Sequence, residues 1–388
     1  MATLKQFVRR VPIALLQQHV EQTCLMLPPE FEWQDDGGAS AKRFFAIVDE
    51  YDGVPAERFR LDIDRVAAMA DEVGDGALYT TSSDPSALHL QPSTAARAYY
   101  SFLNNPSDFR RAEEARFADE RRRGRNWDGF VSDRNLTVHR DATNLEAFQQ
   151  SASELIGTGQ VEVEISDRGR RRHDMADAVL VQATMYVEDR PNELRSFRDG
   201  RIAFTTHRPV HEAAITYEPE TGAIEVVART GIHRATLANL FAEHLMETQQ
   251  PGGRVAIRQY RLEHLRRPHR FDTQPRHHIE DVRVKSMCLM PLAAQNERLT
   301  LELMRKAPGT IWDLAERRLY GGASRLADYL ITRITLIVRF RPRLGTGRAR
   351  VLPITVTAGT GCNIKDCTAE ERLIGEYYMR AWGTLEDV

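Results

Sequence analysis

The chain has 388 residues, of which 42% are hydrophobic and 28% charged, and its formal net charge is −2. This is the composition of an ordinary globular protein of two or three domains, and nowhere does it hold the run of about 18 apolar residues that a membrane helix requires. Near-neutrality excludes a molecule that is basic overall, four cysteines (Cys24, Cys288, Cys362, Cys367) do not make a disulfide scaffold, and MATLKQFVRR lacks the apolar core of a secretory signal, so the cytoplasm is the expected compartment.

Residues 1–155 are expected to form a mostly helical domain. VPIALLQQHVEQTCLML places Ile13, Leu16, Val20 and Leu25 near helical spacing and meets Pro28-Pro29. DIDRVAAMADEV and AARAYYSFL are further short amphipathic helices, and FRRAEEARFADERRRGR is a charged helix that Gly124 breaks. NLEAFQQSASELIG follows a possible cap at Thr143 or Asn144. DDGGASAK and TTSSDPSALHLQPS have loop composition.

From about residue 156 the period changes from helical to alternating, and residues 156–388 are expected to form a larger domain of antiparallel hairpins with packed helices. The fold class is therefore α+β. QVEVEIS, AVLVQATMYV and RIAFTTH read as strands, and AAITYEPETGAIEVVAR as a hairpin turning at Pro219–Gly222. RATLANLFAEHLM carries a helical stripe of Leu237, Leu240, Phe241 and Leu245. DVRVKSMCLMPL and RLTLELM form another strand pair, TIWDLAERRLY a helix, and ITRITLIVRFRP with RVLPITVTA a second hairpin around RLGTGR. The closing TAEERLIGEYYMRAW opens on a capping box of Thr368 and Glu371. A hairpin followed by a helix occurs at 213–246 and again at 331–382, a possible internal repeat.

The sharpest feature is a charge asymmetry. The cations are five lysines against 48 arginines, a bias that fits a bacterial or phage-related origin, and from Tyr329 to Lys365 there is no Asp or Glu. That span contains Arg333, Arg339, Arg341, Arg343, Arg348 and Arg350. Strand alternation sends Ile334, Leu336, Val338 and Phe340 to one face and Arg333, Thr335, Ile337, Arg339 and Arg341 to the other, at roughly 6.6 Å per same-face step. Like charges side by side repel, so a face of one sign asks for an anionic partner. The candidates are nucleic-acid phosphate, an acidic protein partner, or the acid-rich segments EYDGVPAERFRLDID and HEAAITYEPETGAIE of this chain. The run 258–285 adds Arg266, Arg267 and Arg270, and RDGRIAFTTHRPVH is a shorter, milder basic run. Arginine beside an aromatic, as in Arg270-Phe271, suits stacking on unpaired bases as well as ordinary packing.

Motifs that would compel an enzyme are absent: GxxxxGK[ST], GxGxxG after a strand, GxSxG and HExxH do not occur. His207 and His211 have i,i+4 spacing but enclose Pro209, and His264, His269, His277 and His278 lie in a loop-like stretch, so neither offers the helical geometry of metal ligands and neither a metal nor a cofactor is expected. Within RRRGRNWDGFVSDRNLTVHR, the segment Arg134-Asn135-Leu136-Thr137-Val138-His139 resembles the Arg-polar-x3-His signature of HEPN-type ribonucleases. That resemblance implies a helical site, in a dimer, where Arg134 stabilises charge on the scissile phosphate and His139 moves a proton. The expected function is a non-catalytic nucleic-acid-binding subunit of a complex. The HEPN-like ribonuclease and a module docking on an acidic protein are the alternatives.

Overall fold

The computed structural model describes the chain apart from residues 1–6, 8–9, 35–38, 52, 122–125, 158, 171–177, 199, 230, 256–257, 295, 305–306, 320–324, 343–348, 360 and 388. It is an α+β protein of two compact units, one ending at Arg254 and the other running on from Val255. The division therefore falls about a hundred residues later than the change of period at 156, because the first set of strands shares a unit with the N-terminal helices.

In the first unit, seven helices precede the first strand among the described residues: α1 (Ile13–Gln22), α2 (Ala39–Glu50), α3 (Val54–Ala68), α4 (Glu72–Thr81), α5 (Pro85–His89), α6 (Thr94–Asn104) and α7 (Pro106–Arg121). Their apolar faces meet in one core containing Leu16, Phe44, Phe59, Ile63, Tyr99 and Phe109. His19 lies inside it, bonded to the Tyr99 hydroxyl at 2.7 Å and 3.4 Å from Asp62, and burial lowers its pKa. α1 ends at Thr23, short of Pro28, and α5 forms where loop composition dominates because Asp84 caps it and Pro85 occupies its first turn.

β1 (Trp127–Val131) follows, then α8 (Ala142–Ile156), β2 (Val161–Arg170), β3 (Ala178–Glu188), β4 (Asn192–Arg198), β5 (Arg201–His207), β6 (Val210–Glu218), β7 (Ala223–Val227) and α9 (Gly231–Leu240), which continues into a π turn at Phe241–Leu245. The cap of α8 is Asp141, whose carboxylate accepts from the Asn144 amide at 3.1 Å, rather than Thr143 or Asn144. A five-stranded antiparallel sheet has the order β1-β7-β6-β3-β2. The hairpin turn at Pro219–Gly222 is as expected, and Gly222 takes φ +77 there, a conformation that favours glycine. β4 and β5 pair only with each other, as a separate two-stranded ribbon.

One face of this sheet carries Ala183, Met185, Ile215, Ile224 and Val226, and buries them against Phe148 of α8 and against Leu237, Phe241 and Leu245 of α9 and its π turn. The opposite face is polar yet also buried, because α7 lies on it. Arg168 makes a two-pronged contact with Asp119 at 2.9 and 3.1 Å, and Arg170 reaches Glu225 at 2.9 Å. Glu114 accepts from Tyr186 at 2.7 Å and from Thr184 at 3.2 Å. Burial raises the Glu114 pKa, and burial together with the Glu114 hydrogen bond pushes the Tyr186 phenol well up. Alternation such as VEVEIS gives strands but does not say that the polar side will be covered.

The second unit contains β8 (Arg258–Tyr260), β9 (Ile279–Pro291), β10 (Leu299–Glu302), α10 (Ile311–Leu319), β11 (Tyr329–Phe340), β12 (Val351–Thr357), β13 (Gly361–Cys362), α11 (Ala369–Ala381) and β14 (Leu385–Asp387). Its main sheet is again five-stranded and antiparallel, in the order β10-β9-β11-β12-β13, and β14 pairs with β8. The inward row Ile334, Leu336, Val338 and Phe340 packs with Ile354, Val356, Ile374, Tyr378 and Met379 in one core. The hairpin–helix pattern recurs as expected, in β6-β7-α9 and β11-β12-α11. The two sheets are nevertheless threaded differently: β1 precedes its neighbours in the chain whereas β13 follows its own, so the shared pattern is not a simple duplication.

Removing one partner of a buried ion pair strands the other charge. Arg168→Ala should therefore destabilise the first unit by about 3 kcal/mol, seen as a lower denaturant midpoint in far-UV circular dichroism. An unchanged midpoint would show that Asp119, which Arg170 also approaches at 3.7 Å, is accommodated without Arg168.

Candidate nucleic-acid interface

The expected alternation of β11 is present. Ile334, Leu336, Val338 and Phe340 are at most 5% exposed, whereas Arg333 is exposed and Thr335, Ile337 and Arg339 are half-buried. Register defines the surface around them. Arg333 lies between Thr357 of β12 and Cys288 of β9, and Thr335 between Thr355 and Ser286. Ile337 lies between Pro353 and Arg283, and Arg339 between Val351 and Asp281. The Thr335 and Thr355 hydroxyls bond each other at 3.2 Å. The outward face is thus a field of hydroxyls and short side chains bearing three guanidinium groups, Arg333 and Arg339 of β11 and Arg283 of β9, with about 20 Å of strand between Arg333 and Arg339 at the usual rise per residue.

Arg333, Arg339 and Arg341 make no ion pair among the described residues; Arg341 is exposed just past the strand, its amide donating to the His278 carbonyl at 2.7 Å. Asp281, although opposite Arg339 in register, is not within ion-pair distance. The acid-rich segments of the first unit have local partners: Asp62 pairs with Arg58 and Glu225 with Arg170.

Arg350 differs. It meets Glu370 at 3.3 Å and Glu371 at 3.7 Å, and its guanidinium sits 4.3 Å from the centre of the Phe340 ring. Glu371 also accepts from the Thr368 hydroxyl in the capping box that opens α11. Arg350 therefore ties the hairpin base to the last helix, and its role as a phosphate ligand gives way to that structural one. Arg343 and Arg348 lie outside the described residues.

The 258–278 segment is mostly loop, as expected, but it is packed. Trp382 donates to the Asp272 carbonyl at 2.9 Å, Trp312 to the Leu265 carbonyl at 2.7 Å, and the Gln274 amide to the Tyr378 hydroxyl at 2.8 Å. His264, His269, Phe271 and Trp382 form a chain of rings at about 5 Å spacing. Burial lowers the pKa of both His264 and His269, and the described residues include no group of three or more His, Cys, Asp or Glu side chains able to hold a metal ion. Phe271 is thus covered by Trp382 and serves packing. Arg267 is exposed, Arg266 is half-buried with its Nε lacking a bond, and Arg270 pairs with Asp272 at 2.8 Å where both are largely exposed. A pair so exposed contributes little.

A cleft of about 340 Å³ borders this loop, lined among others by His269, Arg270, Asp281, Arg283 and Trp312. Asp281 belongs both to this cleft and to the row beside Arg339, so the basic loop and the arginine strand adjoin. Arg283 was not singled out among the sequence candidates; its place opposite Ile337 emerges only from strand register.

The stretch RRRGRNWDGFVSDRNLTVHR divides in two. Trp127–Val131 is β1, an edge strand paired with β7, and residues 122–125 lie outside the described residues. Arg134 is exposed at a turn beside Asn135, which has φ +56. The His139 amide donates to the Leu245 carbonyl at 2.7 Å, and its ring is 3.9 Å from Glu247. Arg134 and His139 thus stand on irregular backbone between β1 and α8, whereas the ribonuclease resemblance implies a helix there. β-branched Thr137 and Val138 are consistent with an extended course.

A second cleft, about 330 Å³, is lined by Arg65, Arg110, Glu113, Glu114, Tyr186 and Glu212 at the rim of the α7 network. Its carboxylates include Glu113, paired with Arg65, and Glu114, bonded to Tyr186. Among the described residues, no helix is long and apolar enough to cross a membrane. Compared with known protein families and with characterised proteins, the chain matches none.

The half-buried His264 and His269 predict a pH dependence. A folded pKa below the ordinary 6.5 of His264 and His269 means that the unfolded chain binds protons first. Their contribution is fully present above pH 6.5 and falls as pH drops through 6.5 towards the lowered values. Thermal midpoints measured from pH 8 down to 5.5 should fall, and less so in the His264→Gln, His269→Gln variant; equal slopes in both would assign the dependence to other groups.

Proposed function

We propose that this chain is a nucleic-acid-binding subunit without catalysis of its own, and that it holds phosphates through Arg333, Arg339 and Arg341, with Arg267 on the adjoining loop. The observation that carries this reading is the set of three guanidiniums of one acid-free hairpin that have no carboxylate partner among the described residues. Arginine suits phosphate because its fixed fork of donors remains charged at any physiological pH. The surrounding Thr335, Thr355 and Thr357 add hydroxyl donors at the spacing of neighbouring strands, and hydroxyls commonly contact the sugar-phosphate backbone. Such a surface positions a backbone without selecting a sequence, which accords with a supporting subunit of a larger assembly.

Titration of labelled DNA and RNA at two salt concentrations tests the reading. Affinity should fall steeply with salt, and Arg333→Ala with Arg339→Ala and Arg341→Ala should weaken binding similarly on unrelated sequences. Each lost phosphate contact flattens the logarithmic salt slope by about 0.9 on duplex DNA, so the triple variant should flatten it by up to about 2.7. Arg350→Ala should lower the thermal midpoint with little change in slope. Absence of binding at low salt would instead favour an acidic protein as the partner of the arginine row.

A further inference from the structure

The ribbon of β4 and β5 stands apart from the core of the first unit. Nearly every described side chain along it is exposed on both faces, including Phe197 at 77%, Ile202 at 60% and Phe204 at 59%. In an antiparallel pair, directly opposed residues share a face. Here Glu193 opposes Thr206, Arg195 opposes Phe204 and Phe197 opposes Ile202, so one face carries both phenylalanines, the isoleucine and one arginine. The Arg195 guanidinium lies 5.7 Å from the centre of the Phe204 ring. An isolated two-stranded ribbon is marginally stable in water, and large apolar side chains on it gain nothing until something covers them.

We propose that this ribbon is a second nucleic-acid contact, which receives unpaired bases on Phe197 and Phe204 while Arg195, on the same face, meets the phosphate between them. Charge points to this occupant. From 190 to 208 the sequence holds five arginines against one glutamate and one aspartate, and Arg190, Arg195 and Arg201 make no ion pair among the described residues. A nucleic-acid strand brings the sign opposite to the ribbon's excess of arginine. Successive rows on one face are roughly 7 Å apart, enough for each ring to take its own base. Stacking on aromatic rings beside arginine is how single strands are held without regard to sequence. Duplex grooves are read chiefly by hydrogen-bonding side chains, of which this face presents few. The inference rests on the nucleic-acid reading above but concerns a different surface, with a different physical signature.

The test uses the whole chain and a short oligothymidylate carrying one 2-aminopurine, followed by anisotropy and by 2-aminopurine fluorescence. Phe197→Ala with Phe204→Ala should weaken binding at least about tenfold, abolish the fluorescence change on binding, and leave the salt slope unaltered, because stacking releases no counterions. Phe197→Tyr with Phe204→Tyr should retain both signals, and since all these side chains are exposed, circular dichroism should match the parent. The proposal is overturned if the alanine pair binds and reports like the parent while the Arg333, Arg339, Arg341 variant is weakened, a result that leaves the hairpin reading intact. It is also overturned if the alanine pair changes only the mass seen by light scattering, which would make the ribbon a self-association element. If the parent chain binds no oligonucleotide at low salt, both readings fail together.

Discussion

A five-stranded antiparallel sheet has two faces, and a single apolar row per strand can bury only one of them. What happens to the other face separates the two units of this protein. In the first unit the polar face is roofed by α7, and its charges are matched in place: Arg168 with Asp119, Arg170 with Glu225, and Glu114 with Tyr186 and Thr184. Burying charge is unfavourable unless the partners are well aligned, and the two-pronged Arg168–Asp119 contact meets that condition. In the second unit Arg333 and Arg339 of β11 make no ion pair among the described residues, although Asp281 stands opposite Arg339 in register. The surface is left to solvent or to a ligand.

Within that second surface the arginines are not equivalent, and the reason is local. The capping box at Thr368 fixes where α11 begins, and this puts Glu370 and Glu371 within reach of Arg350. Arg350 also covers Phe340, so it closes the core at the base of the hairpin. Arg333 and Arg339 project outward from β11, where their register neighbours include threonine, valine and cysteine, and the one acid, Asp281, does not reach them. A cation count treats these residues alike. Register and helix placement divide them into a clasp and an open row.

The legible parts were those determined over short distances. The hairpin around Pro219–Gly222, the alternation of β11 and the Thr368–Glu371 capping box all follow from residues close in sequence. Trp127–Val131 did not stand out as a strand within a helical stretch, because its partner is β7, nearly a hundred residues on. The position of the unit boundary was obscured for a related reason: a switch from helical to alternating period marks a change of element, while a boundary depends on which elements share a core. The histidines and aromatics of 258–278 suggested a ligand surface by composition, but Trp312, Tyr378 and Trp382 hold much of that segment as packing. Phe197 and Phe204 drew no notice in the sequence, since alternating aromatics are ordinarily core residues; their exposure is a tertiary fact.

By itself, the amino-acid order determined the α+β class, the two hairpins, the acid-free arginine span and which side of β11 would be buried, because each depends on period, turn chemistry or net charge over a few neighbouring residues. Only the tertiary structure decided which polar faces are covered, which arginines already hold a carboxylate, and that one apolar ribbon stands free. Those outcomes depend on side chains 20 to 72 residues apart meeting or failing to meet, and no local pattern encodes the meeting.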